Sequence, residues 1–301
     1  MLRALAVPVA TLSIAVALCS CVVRAEESDS SVTEKENAAN EANPRQPSHK
    51  PSAAPATNED AAAETALLNS INQSRLQAGV AAVQMEDSLR EAARLHAQRM
   101  VATRRLEHQF PGEPSLLQRI ADVSLLPLDR AGENIANATC AEGAADVLMR
   151  SPPHRENLLD PQFNLIGIAA VWSDGRLYVV QDFAHVVPSY TARETARIVG
   201  HSIGEVRLSA GLTRLTQLSA PHLDDAACGL AAEDHPNARL IAASYSNRKI
   251  ITYTQSQPEI LPPAASRLLE NADVQRFAVG SCYARNGNYP TGIYWVAILL
   301  Y

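Results

Sequence analysis

Residues 151–183 limit the possible fold more than any other part of the chain. They open with Ser-Pro-Pro-His, and the two prolines end the preceding helical pattern because proline lacks a backbone N–H. Residues 165–172 are almost wholly apolar and partly β-branched, which predicts a buried strand. A Ser-Asp-Gly-Arg turn and the apolar run 177–183 predict the return strand of a hairpin. The sequence thus predicts a central sheet, with His154 in a polar turn at its mouth.

Helical patterns flank this predicted hairpin. Apolar residues recur at helical spacing, or in short amphipathic runs, in four stretches: 61–79, 88–100, 116–123 and 140–150. His96 lies on the apolar face of the second stretch, where the favoured role is a packed, hydrogen-bonded core histidine. Helices mixed with a sheet built on a hairpin indicate the α+β class.

Size and charge limit the function classes. A chain of 301 residues is long enough for about two domains of roughly 150 residues each. The formal net charge is −6 and no block of lysine and arginine occurs, so the sequence does not have the clustered basic surface of a nucleic-acid binder. For the same reason an anionic membrane surface is not an expected partner.

Residues 1–25 have the pattern of an export signal. Arg3 supplies the positive start, an apolar run follows, and small residues precede a cleavage site after Ala25. A second interpretation is a lipoprotein signal, because Leu-Cys-Ser-Cys resembles a cleavage box that leaves Cys21 lipidated. Both interpretations predict a secreted or otherwise extracytoplasmic protein, with a membrane contact only through the lipid anchor of the second.

The remaining chain divides into three predicted segments. Residues 26–60 are rich in Ser, Glu, Asn, Ala and Pro without an aromatic residue, which predicts a disordered linker. Residues 61–187 form the first predicted domain, and residues 188–301 form a second, smaller α+β domain. Several Gly-Leu and Ala-Ala patterns of the second domain are similar to patterns of the first, which indicates a degenerate repeat. The alternative is a small domain unrelated to the first. Within it, residues 239–256 predict two strands joined by a polar turn.

Three cysteines remain if Cys21 is removed with the signal. They are Cys140, Cys228 and Cys282, and an odd number leaves one thiol free or paired between chains. Cys228 and Cys282 are the favoured disulfide pair because both lie in the second half and an exported protein meets an oxidising compartment. Buried free thiols are the alternative.

Three polar residues of the first domain are candidates for chemistry. They are His108, Glu133 in a predicted loop at 130–136, and His154. Separations of 25 and 21 residues match no local metal-binding spacing. From the residues alone, three unrelated surface side chains remain an open alternative.

Five motifs of the first domain occur together in a known order. They are N-x-x-R-x-x-A-G-V from Asn72, AARLHAQRM, GENIA, SPPHRENLL and YVVQDFA, and they extend across about residues 62–187. In this combination the domain resembles the CAP superfamily (cysteine-rich secretory proteins, antigen 5, pathogenesis-related 1), in its bacterial SCP-like branch. The resemblance implies an α-β-α sandwich with an open cleft.

The same resemblance implies which residues line that cleft. His108, Glu133 and His154 would converge there, and two imidazoles with a carboxylate suit zinc or another divalent cation. Asn134 and Asn157 would support the surrounding loops by hydrogen bonding, with ligand contact as the alternative.

One element of the family pattern is missing. Eukaryotic members carry a further glutamate in a W-x-x-E pattern, whereas this chain has Leu148 and Ser151 at those two positions. The motifs therefore do not supply the fourth ligand of the family's site, and Glu107 or Glu156 are the alternatives for that role.

Three functions are compatible with these residues. The favoured one is a non-catalytic binding module for a small lipid or peptide ligand or a cell-envelope component. The second is a metal-dependent hydrolase or protease, in which Glu133 activates a water on a metal held by His108 and His154. The third is a structural envelope protein. No G-x-S-x-G or H-E-x-x-H signature occurs, which favours a protein that is not an enzyme.

Overall fold

A computed structural model describes residues 58–245 and 248–301 and contains two α+β units. The first unit contains β1 (Asn58–Glu59), α1 (Ala61–Gln77), β2 (Gln84–Met85), α2 (Asp87–Thr103), α3 (Leu116–Val123), β3 (Leu128–Ala138), α4 (Ala141–Arg150), α5 (Pro152–Leu159), β4 (Leu165–Ser173) and β5 (Arg176–Val186). The second unit contains α6 (Ala192–Ser209), β6 (Thr216–Gln217), α7 (Leu223–Ala232), α8 (Arg239–Ala242), β7 (Lys249–Gln255), α9 (Pro263–Leu269), β8 (Arg276–Ala284) and β9 (Ile293–Leu300).

The first unit is an α-β-α sandwich, as predicted. Its sheet has the strand order β1-β4-β5-β3, and β2 pairs in parallel with β4. Helices α1, α4 and α5 pack on one face, while α2 and α3 pack on the other. The predicted hairpin is confirmed as β4 and β5, whose turn residues Asp174 and Gly175 both have a left-handed backbone. On β4, a Cβ at Gly167 would lie 2.1 Å from the Leu89 backbone, so only glycine lets α2 approach this closely.

A buried arginine joins α1 to the end of α5 and to the segment that follows it. The side chain of Arg75 donates to the carbonyls of Ala81, Leu158, Asp160 and Phe163 at 2.6–3.0 Å. Burial lowers the pKa of this guanidinium, against the opposing effect of Asp160. The four acceptors are carbonyls, so Arg75 positions α5 by hydrogen bonds rather than by an ion pair.

The second unit is a smaller sheet with helices on both faces. Its strand order is β6-β8-β9-β7, with α6 and α9 on one face and α7 and α8 on the other. A disulfide joins Cys228 on α7 to Cys282 on β8, which confirms the favoured pair. Cys140 is also disulfide-bonded.

The two units contact each other through side chains of the second. Arg285 donates to the carbonyls of Ser124 and Leu126 at 2.9 and 3.3 Å, and Thr291 donates to the Leu128 carbonyl at 3.2 Å. The acceptors lie between α3 and β3 or at the start of β3, so the second unit touches the first at the base of this strand.

Two local predictions for the first unit are wrong. Residues 130–136 are not a loop but the middle of β3, because ten residues of this strand pair with β5 and long-range pairing overrides the weak strand propensity of Gly, Glu and Asn. His154 is not in a turn but in α5, since Pro152 and Pro153 occupy the first helical turn, where proline needs no donor.

Two further predictions need correction. Of the two strands predicted at 239–256, only β7 forms, and α8 replaces the first. The predicted linker ends too late, because residues 58 and 59 pair with β4 and the side chain of Asp60 caps α1. The predicted signal segment, Cys21 and the rest of the linker lie outside the described residues. Within the described part, no helix is long and apolar enough to cross a membrane.

Candidate functional site

The structure brings His108, Glu133 and His154 together at β3, the terminal strand of the sheet. His108 lies in the loop after α2, Glu133 on β3 and His154 on α5. The Nδ1 atom of His108 is 2.9 Å from Oε1 of Glu133, and the centroids of the two imidazole rings are 6.4 Å apart. His154 is buried, whereas the side chain of His108 is 26% exposed, so His108 connects the cluster to solvent.

Glu133 is the centre of the charge network. One carboxylate oxygen bonds His108 and the other accepts from the guanidinium of Arg119, which is itself buried. Burial alone would raise the pKa of Glu133, but the hydrogen bond from His108 and the charges of His96 and Arg119 outweigh burial and lower it. Glu133 therefore remains a carboxylate, and its partners hold both oxygens.

A second carboxyl group lies beside Glu133 on the neighbouring strand. Asp182 on β5 is directly opposite Glu133 in the strand register and is fully buried. Neither of its oxygens accepts a hydrogen bond from an N–H or hydroxyl donor in the described part of the chain. Burial, followed by repulsion from Glu133, raises the pKa of Asp182 well above its ordinary value. The pKa values of the two carboxyl groups are thus shifted apart, so Asp182 keeps its proton at pH values where Glu133 is charged.

His96 supports this network from α2. Its Nδ1 is 2.8 Å from Oε1 of Glu113, and its Nε2 is 2.9 Å from the Glu107 carbonyl. Glu113 in turn accepts from the Phe110 backbone at 2.9 Å. These bonds close the loop that carries His108 onto α2, and His96 is a buried core histidine, as predicted.

The two predicted asparagines support the backbone around the cluster. Asn157 donates to Oδ1 of Asn134 at 3.0 Å and to the Glu133 carbonyl at 3.3 Å. Asn134 donates to the His154 carbonyl at 3.1 Å. These bonds tie α5 to the edge of β3, which accounts for the position of His154 beside a strand 20 residues earlier.

The cluster fits a metal ion only in part. Nδ1 of His108 lies against the Glu133 carboxylate, so the neutral ring would carry its proton on Nδ1 and its lone pair on Nε2, which is the arrangement that orients histidine ligands of zinc. However, Glu133 is already engaged by Arg119 and His108, and the described residues contain no group of three or more His, Cys, Asp or Glu side chains placed to hold a metal ion. The arrangement offers imidazole ligands without a complete set, so we derive no step through a metal.

Sequence reasoning missed Arg119 and Asp182. Arg119 lies on an amphipathic helix, a pattern typical of surface arginines, yet it is only 7% exposed. Asp182 had a visible signal, because a carboxylate interrupts the apolar run of β5. A charged residue inside a strand buried on both faces indicates a buried polar partner.

Residues 68–183 match the model of the cysteine-rich secretory protein family, CAP. The match covers β3, β4, most of β5 and the whole polar cluster, and this segment is a domain of the CAP superfamily. The resemblance inferred from the motifs is therefore confirmed.

Individual proteins are similar to parts of the chain. An uncharacterized protein, YkwD from Bacillus subtilis (strain 168), is 32% identical over 105 residues, which are 34% of this chain and 40% of YkwD. The chain thus spans about two fifths of that relative.

Two solved structures are also similar. An extracellular SCP-domain protein from Bacillus anthracis str. Ames is 25% identical with a TM-score of 0.35, covering 41% of this chain and 40% of that one. An outer surface protein from Borrelia burgdorferi is 18% identical with a TM-score of 0.41, covering 44% of this chain and 99% of that one. With TM-scores this low, the family match is the basis of the assignment.

Proposed function

We propose that this protein is an extracytoplasmic CAP-domain binding module, in which His108 and His154 bind a small lipid or peptide ligand at the edge of β3. The observation that carries the proposal is the hydrogen bond of 2.9 Å from Nδ1 of His108 to Glu133. In the neutral imidazole, this bond fixes the proton on Nδ1 and leaves Nε2 of the partly exposed ring as an acceptor for a hydroxyl, amine or amide N–H of a ligand.

The state of Glu133 argues for binding rather than hydrolysis. A general base works best when its pKa lies near the working pH, and a lowered pKa makes Glu133 a weak base. Both of its oxygens already accept hydrogen bonds and the side chain is only 5% exposed, which restricts the approach of a water nucleophile. In this proposal Glu133 orients His108 and takes no part in a reaction.

A divalent cation such as zinc is a second candidate ligand for the same residues. It is favoured by the two imidazole rings, whose centroids are 6.4 Å apart, and by the carboxylate that orients one of them. It would need a further donor from the bound ligand or from water. In the absence of such a donor, the organic ligand is the better proposal.

The extracytoplasmic location rests on sequence and on relatives. The pattern at 1–25 predicts export, and two proteins of similar structure are named as extracellular and as an outer surface protein. Whether export ends in secretion or in a lipid anchor at Cys21 is decided by the mass of the mature N-terminus. A structural envelope role is the remaining alternative and predicts that no ligand is recovered.

The test compares two histidine variants. Organic molecules are extracted from the purified protein and identified by mass spectrometry for the parent, His108→Ala and His185→Ala. His185 is a matched control because it also bonds a carboxylate, Asp129 at 2.6 Å, on the same domain and is similarly exposed at 30%. We expect roughly tenfold less ligand from His108→Ala and no loss from His185→Ala.

Two results would contradict the proposal. Equal recovery of the same molecule from both variants would show that the ligand binds elsewhere. If the parent hydrolyses casein and His108→Ala abolishes this activity, the site is catalytic. Calorimetric titration of chelator-treated protein with zinc chloride separates the second candidate. Binding lost in His108→Ala would support a metal ligand, whereas no heat would exclude it at the concentrations used.

A further inference from the structure

The second unit contains a large open cavity away from the histidine cluster. Its volume is about 700 Å³, within the range of roughly 300–1,000 Å³ that ligand sites occupy. The floor is formed by residues 250–254 of β7, one wall by α9 and the other by residues 235–239. Neighbouring residues of one strand point to opposite faces of a sheet, so a cavity lined by all five must follow the edge of β7.

The edge of β7 has unpaired backbone groups. Tyr301, directly after β9, exchanges backbone hydrogen bonds with Arg276, the first residue of β8, so the backbone of the preceding Leu300 faces β7. Lys249, the partner of Leu300, therefore points its N–H and C=O toward β9, as do the alternate residues after it. The backbone groups of Ile250, Thr252 and Thr254 face the cavity, and no described residue bonds them.

The walls of the cavity differ in polarity. The α9 wall presents Ala264, Ala265 and Leu268, and Leu268 is 39% exposed. The opposite wall presents His235 and Arg239, both exposed, and the guanidinium of Arg239 forms no ion pair with any described residue. An occupant would therefore meet apolar surface on one side and an unpaired cation on the other.

The first unit also has a short helix beside an edge strand, but there a side chain of the helix bonds to the strand backbone. Arg207 on α6 donates to the carbonyls of Leu269 and Asn271, just as Arg75 on α1 donates to Leu158 and Asp160. Leu269 therefore corresponds to Leu158. Counted back from these two residues, α9 corresponds to α5.

By this correspondence, the polar residues of the histidine cluster have apolar counterparts in the second unit. Ala265 occupies the position that corresponds to His154, and Leu268 occupies the position that corresponds to Asn157. In the first unit the amide of Asn157 donates to the outward carbonyl of Glu133, 3.3 Å away. The side chain of Leu268 has no hydrogen-bond donor. It therefore leaves the outward backbone of β7 unbonded, whereas Asn157 bonds the outward backbone of β3.

We propose that β7 binds an extended peptide segment of a partner protein as an added strand, with apolar residues against α9 alternating with acidic residues toward Arg239. Strand addition uses backbone hydrogen bonds for affinity and alternate side chains for specificity. Ile250, Thr252 and Thr254 would supply six backbone groups, and the unpaired cation on one wall favours a negatively charged face on the bound strand. Pairing of β7 with β7 of a second copy does not fit, because each β7 lies between the same two walls.

The test uses a fluorescein-labelled seven-residue peptide of alternating valine and glutamate, added to the purified full chain. Fluorescence anisotropy measures binding to the parent, Thr254→Pro and Thr254→Ala. Proline at 254 removes an outward N–H without disturbing a bond to β9, since proline is tolerated at such edge positions. We expect roughly tenfold weaker binding by Thr254→Pro, near-parent binding by Thr254→Ala, and weaker binding of a valine–lysine peptide.

Hydrogen exchange of the parent keeps the proposal testable if Thr254→Pro fails to fold. The peptide should slow exchange at the amides of 250, 252 and 254 and leave those of 251 and 253, which already face β9, unchanged. The proposal is overturned if Thr254→Pro binds the peptide as well as the parent does, or if no amide responds at about 1 mM peptide. It is also overturned if these three amides are already protected in the free full chain, because the edge would then be filled by the chain itself.

Discussion

Glu133 shows how one residue sets the chemistry of its neighbours. Its charge is stabilised by His108 and Arg119, and that charge together with burial keeps a proton on Asp182. Two carboxyl groups opposite each other on adjacent strands therefore contribute to stability with opposite dependence on pH. Such a pair holds one negative charge, which the guanidinium of Arg119 balances and the hydrogen bond from His108 further stabilises.

Asp182→Asn should change the pH dependence of stability. The pKa of Asp182 is raised in the folded protein, so the folded state binds more protons than the unfolded state above the ordinary pKa of 3.8. The parent should lose stability relative to Asp182→Asn as pH rises from about that value to the folded pKa. The gain of the variant at neutral pH should be on the order of 1–3 kcal/mol. Urea unfolding at a series of pH values measures this difference.

Glu133→Gln is the matched control for that experiment. The pKa of Glu133 is lowered, so its contribution is present above the ordinary value of 4.5 and is lost as pH falls through the folded pKa. The parent should gain stability relative to Glu133→Gln as pH rises through this region, opposite in sign to the aspartate variant. Parallel profiles for the two variants would disprove the assigned protonation states.

At the scale of elements, buried arginines position short helices that have little stability of their own. The α5 helix has eight residues and no side-chain cap at its first turn, so its position depends on packing and on the bonds from Arg75. Arg207 has the same role for α9 in the second unit. Each arginine lies in the last turn of a long helix, from which a flexible side chain reaches the carbonyls of a distant segment.

Arg75→Met should be strongly destabilising. It leaves four carbonyl acceptors without their donor, and each buried acceptor left unsatisfied costs about 1–3 kcal/mol, so the total loss should be several kcal/mol. Arg94→Met is the control, because Arg94 is partly exposed and pairs with surface carboxylates, a loss worth under about 1 kcal/mol. Thermal and urea unfolding compare the two variants. Equal costs would show that Arg75 acts only as a surface charge.

The whole molecule joins two sheets that have separate cores and a polar contact. The contact uses Arg285, Thr291 and Gln257 of the second unit, and its acceptors are carbonyls and one carboxylate of the first. Only the second unit has a disulfide between two described cysteines, Cys228 and Cys282, which are 54 residues apart. Since a polar contact couples units weakly, we expect the two cores to respond separately to changes in either one.

Cys228→Ser combined with Cys282→Ser should destabilise mainly the second unit. Removing a crosslink across 54 residues costs about 4 kcal/mol in the chain-entropy account. The chain has two tryptophans, one on β4 and one on β9, so a Trp172→Phe background reports Trp295 alone. The urea midpoint of Trp295 fluorescence should fall, whereas that of Trp172, followed in a Trp295→Phe background, should change little. Equal shifts would indicate a single cooperative unit.

The sequence by itself determined the helices and strands in which apolar residues recur at the regular spacing of that element. The strands of the hairpin and the amphipathic helices α1 to α4 lie close to their predicted positions, because apolar spacing records which side of an element meets the core. The motifs also determined the CAP domain and the three residues of the cluster. These signals are readable because each lies within a short segment.

Only the tertiary structure decided the assignment of β3, the helical position of His154 and the roles of Arg119 and Asp182. Pairing with β5 makes a strand of a segment that contains Gly, Glu and Asn. The protonation of Asp182 depends on a carboxylate 49 positions away in the chain, which the register places directly opposite. Electrostatic energies depend on distance through space, and distances between remote segments exist only after the sheet has formed.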